Sequence, residues 1–362
     1  MVFSEKESKD LFFAHLVGGY QELAIAEIKS LFEMMNSEFS IKGIMDQILL
    51  LESCRNAIFK IARRACLCHG IYENIAVIDV SAEILNNFSE LFPEIIKTLD
   101  WKEVIKQAKT FSVNVIRIKR YLESIKNMDI VNAIGNFIKN SLKIKVSIEK
   151  PDVKIVAFLT ENKIILGKFL TSCARKDVLT REPSHRPVIH PATMNAIHSR
   201  ILINLAQVRE GDIVLDPFCG VGGIMIEGCI VGAYMLGMDL NPKVLRGAQK
   251  NLLYFGCNNY TLIRGNAKHF PIPLESIDAI VTDPPYGRTS STYKYKLEDL
   301  LEAFLDNSAD VLKKGKIIAF AIPSTVTMMK KLSLPKNFEL IFSSEVCMHK
   351  TLTRRFIALR KK

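Results

Sequence analysis

The sequence predicts an α/β chain: a C-terminal, mostly parallel seven-stranded sheet closed by an antiparallel hairpin, preceded by smaller α+β modules. Three observations carry this prediction. From His190 onward, short apolar strands alternate with helical stretches, the pattern of parallel strands joined by crossover helices. The last two apolar runs, 338–347 and 355–360, have no helix between them and read as an antiparallel pair. The first 170 residues alternate strand-like and helical stretches at shorter spacing.

In the first third, 11–17 reads as a strand. Residues 22–35 read as a helix, with Leu23, Ile25, Ala26, Ile28, Leu31 and Phe32 at helical spacing. Strand 47–51, helix 57–66, strand 75–80 and helix 81–91 follow. The stretch Phe111-Ser112-Val113-Asn114-Val115-Ile116-Arg117-Ile118-Lys119-Arg120 alternates apolar and polar residues, as a half-exposed strand does. Its basic end offers Arg117, Lys119 and Arg120 to an anionic partner. A helix is expected over 129–140, then strands 155–159 and 164–169 paired through the turn Thr160-Glu161-Asn162-Lys163.

Residues 171–189 are polar and read as an interdomain linker carrying Arg175 and Lys176. The later strands are expected at 213–216, 233–239, 261–263, 277–283 and 316–322. The expected domains are thus 1–80, 81–170 and 190–362, with the linker at 171–189.

The composition sets limits. The chain has 362 residues, 48% hydrophobic and 24% charged, which suits a globular protein of two or three domains. No apolar run is long enough to span a bilayer, and the start, Met1 to Lys6, has no basic segment leading into an apolar stretch. A cytoplasmic, monomeric protein without a membrane partner is expected. Eight Cys form no paired CxxC set, so neither a metal site nor a disulfide framework is expected, and Cys66 and Cys68 read as packing. The net charge is +11. Residues 1–150 hold 20 basic against 19 acidic residues, and 183–362 hold 23 against 15. A basic surface suits a polyanion, although charge alone leaves an ordinary basic enzyme open.

The stretch Ile213-Val214-Leu215-Asp216-Pro217-Phe218-Cys219-Gly220-Val221-Gly222-Gly223 reads as a strand, a Gly-rich turn and a helix start. Gly220, Gly222 and Gly223 let the backbone approach a ligand closely. The spacing is not GxGxxG. A carboxylate at the strand end, Asp216, would repel a pyrophosphate but suits a ligand with ammonium and sulfonium charges. The next strand ends in Asp239-Leu240, about 20 residues on, where an acidic side chain grips a ribose diol. The third ends in Asn266-Ala267, where the amide oxygen of Asn266 can accept an adenine amine. Each signal alone is a plain strand-end turn; three in register point to S-adenosylmethionine and a Rossmann-like sheet.

Asp283-Pro284-Pro285-Tyr286 lies at the end of the fourth strand, where open α/β sheets place their chemistry. An exocyclic base amine is a poor nucleophile because its lone pair is delocalised into the ring. Two acceptors, the Asp283 carboxylate and the Pro284 carbonyl, would draw its nitrogen toward tetrahedral geometry. Pro285 helps to fix that carbonyl. Tyr286 offers a face for base stacking, and Asp283 also stabilises charge moving from sulfonium to amine. The motif does not separate adenine, cytosine and guanine. Arg288 contacts phosphate or base, or is a solvated loop residue. Cys219 reads as a small filler rather than a nucleophile.

On these motifs, with Arg186-Pro187-Val188-Ile189-His190-Pro191 ahead of them and His349-Lys350-Thr351-Leu352-Thr353-Arg354 near the end, the chain resembles the archaeal tRNA guanine-10 N2-methyltransferases over nearly its whole length. The middle, with Val115-Ile116-Arg117 and 146–153, is similar to a THUMP RNA-binding domain, and 1–80 resembles the ferredoxin-like unit that precedes it. The resemblance implies a class I methyltransferase domain and one or two methyl transfers to N2 of guanosine 10 in tRNA. It also implies THUMP holding the acceptor end, His190 near the methionine end of the cofactor, and no DNA substrate. Val221 stands where Thr is frequent, and Asn266 where Asp is common. Two readings stay open beside this one: another guanosine, at tRNA position 6 or in ribosomal RNA, and an inactive RNA-binding relic. His349 either touches RNA or caps the terminal hairpin.

Overall fold

The computed structural model describes residues 9–191, 193–285, 297–324, 336–349 and 352–362, with backbone alone at 297, 298, 348, 349 and 352. In chain order the first elements are β1 (Lys9–Leu16), α1 (Gln21–Met34), β2 (Phe39–Met45), β3 (Ile48–Cys54), α2 (Arg55–Ala62), β4 (Cys68–Asp79), α3 (Ala82–Asn86) and α4 (Phe88–Thr98). Then come α5 (Trp101–Ile105), β5 (Thr110–Arg117), α6 (Asn127–Leu142), β6 (Lys145–Val146), β7 (Val153–Thr160) and β8 (Lys163–Ser172). The second half holds α7 (Arg175–Leu179), α8 (Ala196–Leu205), β9 (Ile213–Asp216), α9 (Gly223–Ile230), β10 (Tyr234–Asp239), α10 (Pro242–Tyr254) and β11 (Tyr260–Arg264). It ends with β12 (Ile277–Thr282), α11 (Leu297–Val311), β13 (Leu312–Pro323), β14 (Phe338–His349) and β15 (Leu352–Lys361).

Two compact units result. One comprises the described residues up to 21 with 37–63 and 68–173. Its strands form one sheet in the order β2-β3-β1-β4-β8-β7-β5-β6. The sheet does not stop near residue 80, the expected boundary. β4 pairs antiparallel with β1 on one side and with β8 on the other. Alternation sorts β7 between two cores. Ile155, Ala157 and Leu159 join Phe92, Ile96, Trp101 and the α6 stripe Ile130, Ile134 and Ile138. Val156 and Phe158 face Phe13, Met45, Ile48 and Tyr72. Trp101, without a role in the sequence, is buried and donates its indole N–H to the Ile96 carbonyl at 2.6 Å. The helix expected at 81–91 is instead α3 and α4, and β2, α5 and β6 were not anticipated. β2 carries Gly43 beside a register shift, which blurs its alternation.

The other unit comprises 22–36, 64–67 and 174–362. Helix α1 from Glu22 onward therefore belongs with the C-terminal half rather than with the expected 1–80 module. The reason is local to this unit. Glu27 is fully buried and accepts the N–H groups of Cys66 at 3.0 Å and Leu67 at 2.9 Å, and the Asn204 amide at 2.7 Å. The Cys66 thiol also donates to Glu27, at 3.1 Å, which accounts for this cysteine as packing.

The sheet of this unit runs β11-β10-β9-β12-β13-β15-β14, parallel through β13 and antiparallel at β15 and β14. This is the expected mostly parallel sheet with a terminal hairpin. Strand order reverses between β9 and β12, so the crevice at their carboxyl ends is the place for a ligand. Because β15 runs antiparallel, its start lies at those same carboxyl ends: Arg354 pairs with Pro323 at the end of β13. Residues 171–189, expected as a polar interdomain linker, contain two buried arginines, Arg181 and Arg186. Among the described residues no helix is long and apolar enough to cross a membrane, and no His/Cys/Asp/Glu cluster could hold a metal.

Candidate active site

The site is assembled from four strand ends. At the end of β9, Asp216 is buried and accepts the Thr282 hydroxyl at 2.6 Å and the Phe218 N–H at 3.3 Å. Burial raises its pKa to about 7, against the lowering effect of the Thr282 hydrogen bond. The turn that follows needs left-handed backbone at Gly220 (φ 53°) and Gly222 (φ 83°), and Gly222 caps α9. A Cβ at Gly220 would meet nothing closer than the Phe218 carbonyl at 4.0 Å, so this side of the turn is open. Phe218 packs edge-on against Phe304, with ring centroids 5.6 Å apart. Cys219 is buried, and burial pushes its thiol well up, so it is a protonated filler.

At the end of β10, Asp239 accepts the N–H of Gly220 at 3.2 Å and of Asn241 at 2.8 Å. Burial raises its pKa, while those hydrogen bonds and the field of His190 lower it. His190 thus stands in the electrostatic reach of the second carboxylate. Leu240 beside it is 45% exposed, an apolar surface at the rim. At the end of β11, the Asn266 oxygen already accepts the Lys268 N–H at 3.0 Å, which leaves one lone pair for a ligand amine. Ala267 is buried.

At the end of β12, Asp283 forms an ion pair with Arg354, Nη1 to Oδ2 at 3.0 Å. Both side chains are about nine-tenths buried, at 12% and 10% exposure. Pro284 is buried and Pro285 half-buried. Tyr286 and Arg288 lie outside the described residues, as does the side chain of His349. The sequence reading missed two residues as parts of the site, Thr282 and Arg354. Thr282 joins the Asp283 strand to Asp216, and Arg354 sets the Asp283 carboxylate.

The basic residues expected to meet RNA divide. Arg117 donates to the carbonyls of Tyr121, Leu122 and Ile125 and to the Asn127 amide oxygen, so it closes the 118–127 loop. This differs from the sequence expectation of a free cation, and the reason is that the loop turns its carbonyls inward. Lys119 pairs with Asp46 at 2.6 Å. Arg120 is 92% exposed, with Glu123 3.7 Å away. Arg175 donates to the Cys66 carbonyl at 3.3 Å, and Lys176 is exposed.

Residues 183–353 match the RMKL-like methyltransferase domain, and residues 86–167 match the THUMP domain. The tRNA (guanine(10)-N2)-dimethyltransferase of Methanothermobacter thermautotrophicus is 29% identical over 335 residues, covering 92% of this chain and 95% of that protein. A probable tRNA (guanine(10)-N2)-dimethyltransferase of Methanothermococcus thermolithotrophicus is 34% identical over 168 residues, 44% of this chain and 95% of that protein. Among solved structures, TrmN from Thermus thermophilus superposes with a TM-score of 0.56 at 20% identity, covering 98% of this chain and 100% of that one, which is a likeness of fold.

Proposed function

We propose that this chain, which belongs to the THUMP-containing tRNA (guanine-N2)-methyltransferase family, adds one methyl group and then a second to the exocyclic N2 of guanosine 10 in tRNA. The observation that carries the reading is the Asp283 carboxylate at the end of β12, held by Arg354 one strand away from Asp216. Position 10 and the second methyl are supported by the names of the relatives above.

The residues fit S-adenosylmethionine. Two carboxylates at adjacent strand ends, buried Asp216 and half-buried Asp239, suit an ammonium and a ribose diol and would repel a pyrophosphate. The Gly220 turn leaves room, and exposed Leu240 offers an apolar rest for a flat ring. In this reading His190 and Phe218 would border the cofactor, with Asn266 and Ala267 toward its adenine. When bound, the cofactor supplies an electrophilic methyl group on a sulfonium.

The remaining work falls to the chain. Asp283 accepts one N–H of the guanine amine, and the Pro284 carbonyl accepts the other. This would turn the nitrogen lone pair out of the ring plane, free to attack a bound methyl donor. Arg354 pairs with Asp283 and aims it, so the carboxylate can receive the proton that the amine loses on methylation. Pro284 and Pro285 limit the backbone motion that would move the second acceptor. Tyr286 would stack on the flipped-out base. Lys119, Arg120, Arg175 and Lys176 would meet phosphates, Arg120 most freely, with Arg288 a further candidate from its place in the sequence. In this reading residues 81–170 grip the tRNA and residues 190–362 perform the transfer.

A tRNA transcript with G10, and one with A10, offered with labelled S-adenosylmethionine test the reading. N2-methylguanosine and N2,N2-dimethylguanosine should appear by mass spectrometry only with G10. Incorporation that ignores residue 10 rejects the position, and no transfer to any RNA rejects the activity.

A further inference from the structure

Two helices of the catalytic unit end in the same way, and each end carries a cysteine. Helix α9 stops with Gly232 in left-handed backbone, φ 89°. The Gly232 N–H donates to the Cys229 carbonyl at 2.9 Å, and the Ala233 N–H to the Gly228 carbonyl at 3.1 Å. Helix α10 stops with Gly256 at φ 69°. The Gly256 N–H donates to the Leu253 carbonyl at 3.0 Å, and the Cys257 N–H to the Leu252 carbonyl at 2.9 Å. This pair of bonds is a Schellman cap, which fixes the backbone where a helix would otherwise fray. Cys229 lies within the first cap and Cys257 within the second, so both sulfurs stand on set backbone.

The caps lead into neighbouring strands. β10 and β11 run parallel with Met235 opposite Tyr260, and the Met235 N–H donates to the Asn259 carbonyl at 2.9 Å. The two helix ends therefore meet at the amino ends of these strands, the edge of the sheet opposite to Asp216, Asp239 and Asp283. Cys229 Sγ is 3.8 Å from the carbonyl oxygen of Asn259, two residues past Cys257. The sulfurs themselves are in contact, with the Cys229 thiol donating a hydrogen bond to Cys257. That bond holds the Cys257 pKa below the usual thiol range and raises that of Cys229, so Cys257 is the readier thiolate. Cys257 is buried and Cys229 half-buried, which leaves a small oxidant a way in beside Cys229.

We infer that Cys229 and Cys257 are an oxidisable dithiol, which a peroxide closes into a disulfide tying the end of α9 to the end of α10. The Cys257 thiolate attacks one peroxide oxygen and becomes a sulfenic acid. The O–O bond breaks, and the departing hydroxide takes the Cys229 proton and leaves as water. The Cys229 thiolate then attacks the Cys257 sulfur. The S–S bond forms, and the expelled hydroxide takes a proton from solvent. Two thiols and one hydrogen peroxide thus give one disulfide and two waters. The bond encloses β10 and α10 and lies away from the reacting groups, so it staples the sheet without entering the chemistry.

Mass spectrometry of the full chain tests this. After stoichiometric hydrogen peroxide, the remaining thiols are alkylated in denaturant. The chain is then cut without reductant by trypsin and a glutamate-specific protease, which separates Cys219 from Cys229 by cleaving after Glu227. Peptides linked through Cys229 and Cys257 should be the main oxidation product, and dithiothreitol should remove the link. Oxidation should also raise the melting temperature by about 5–10 °C, the scale for closing a loop of this length. Cys229→Ser and Cys257→Ser should each abolish that rise. Recovery of both cysteines alkylated, or of either one linked to a third cysteine, overturns the inference. So does Cys257 oxidised to a sulfinic acid beside an alkylated Cys229. A rise in melting temperature that persists in Cys229→Ser overturns the staple.

Discussion

Arg354 and Asp283 are 71 residues apart in sequence and meet with Nη1 3.0 Å from Oδ2, at the carboxyl ends of the sheet. The antiparallel course of β15 makes this possible, because it returns the chain to the end of the sheet where β9, β10 and β12 finish. Arg354→Ala should remove the cation that pairs with the Asp283 carboxylate and aims it. We expect kcat to fall by about 100-fold, the scale of a misplaced reacting group, with KM for the cofactor little changed. Arg354→Lys should restore part of kcat. Steady-state kinetics on a tRNA transcript check this, and an unaltered kcat in the alanine variant would refute it.

Asp216 gives a pH dependence with a definite sign. Burial holds its pKa at about 7 in the ligand-free protein. An ammonium placed beside it favours the anion, so binding below pH 7 must expel a proton. The affinity for S-adenosylhomocysteine should therefore weaken as pH falls from 7 to 6, by up to about tenfold. Calorimetry in buffers of different ionisation enthalpy should detect the released proton. Thr282→Val removes a hydrogen bond that lowers this pKa, so it should move the transition to higher pH. The same raised pKa makes the free protein lose stability as pH rises from about 4 to 7, where the unfolded chain gives up its proton first. Affinity that is flat across pH 6–8 would contradict the assignment.

Glu227 should be the most sensitive structural position in the catalytic unit. It is fully buried between Arg181 and Arg200. Glu227→Gln leaves two buried guanidinium groups without a counter-charge and should cost about 3–5 kcal/mol of stability. Urea unfolding monitored by circular dichroism measures it; a change below 1 kcal/mol would be inconsistent with the pairing.

In the other unit, Gly167 on β8 sits against aromatic rings. A Cβ there would lie 2.4 Å from two ring atoms of Phe13 and 2.9 Å from the Tyr72 Cβ. Phe13 stacks on Tyr72 with centroids 5.0 Å apart, and Phe158 meets both edge-on, so none of them can yield easily. Gly167→Ala should destabilise the protein by about 1–3 kcal/mol, as overpacking does. A melting temperature equal to wild type would show that the rings can move.

Much of this was legible in the sequence for a physical reason. Asp216, Asp239 and Asp283 each close an apolar run, and such runs end where a parallel sheet presents its ligands. What stayed hidden depends on distance along the chain or on burial that polarity disguises. Arg354 lies far from Asp283 in sequence, and only the order of the strands joins them. Arg181 and Arg186 sit in a stretch polar enough to read as a linker. The available clue was Glu227, a lone carboxylate within Ile224-Met225-Ile226-Glu227-Gly228-Cys229-Ile230, since a buried acid requires a buried base. Glu27 was a similar clue on the apolar face of α1. Arg117 failed in the other direction. Its place in an alternating strand suggested a free cation, but the loop after it turned out to need its donors.

The most direct test of the whole account is single-turnover methyl transfer by Asp283→Ala to a G10-containing tRNA, with S-adenosylhomocysteine affinity measured on the same preparation. The transfer rate should fall by at least about 100-fold, the cost of losing a main stabilising group, with cofactor affinity within a few-fold of wild type. Transfer at the wild-type rate by that variant would contradict it.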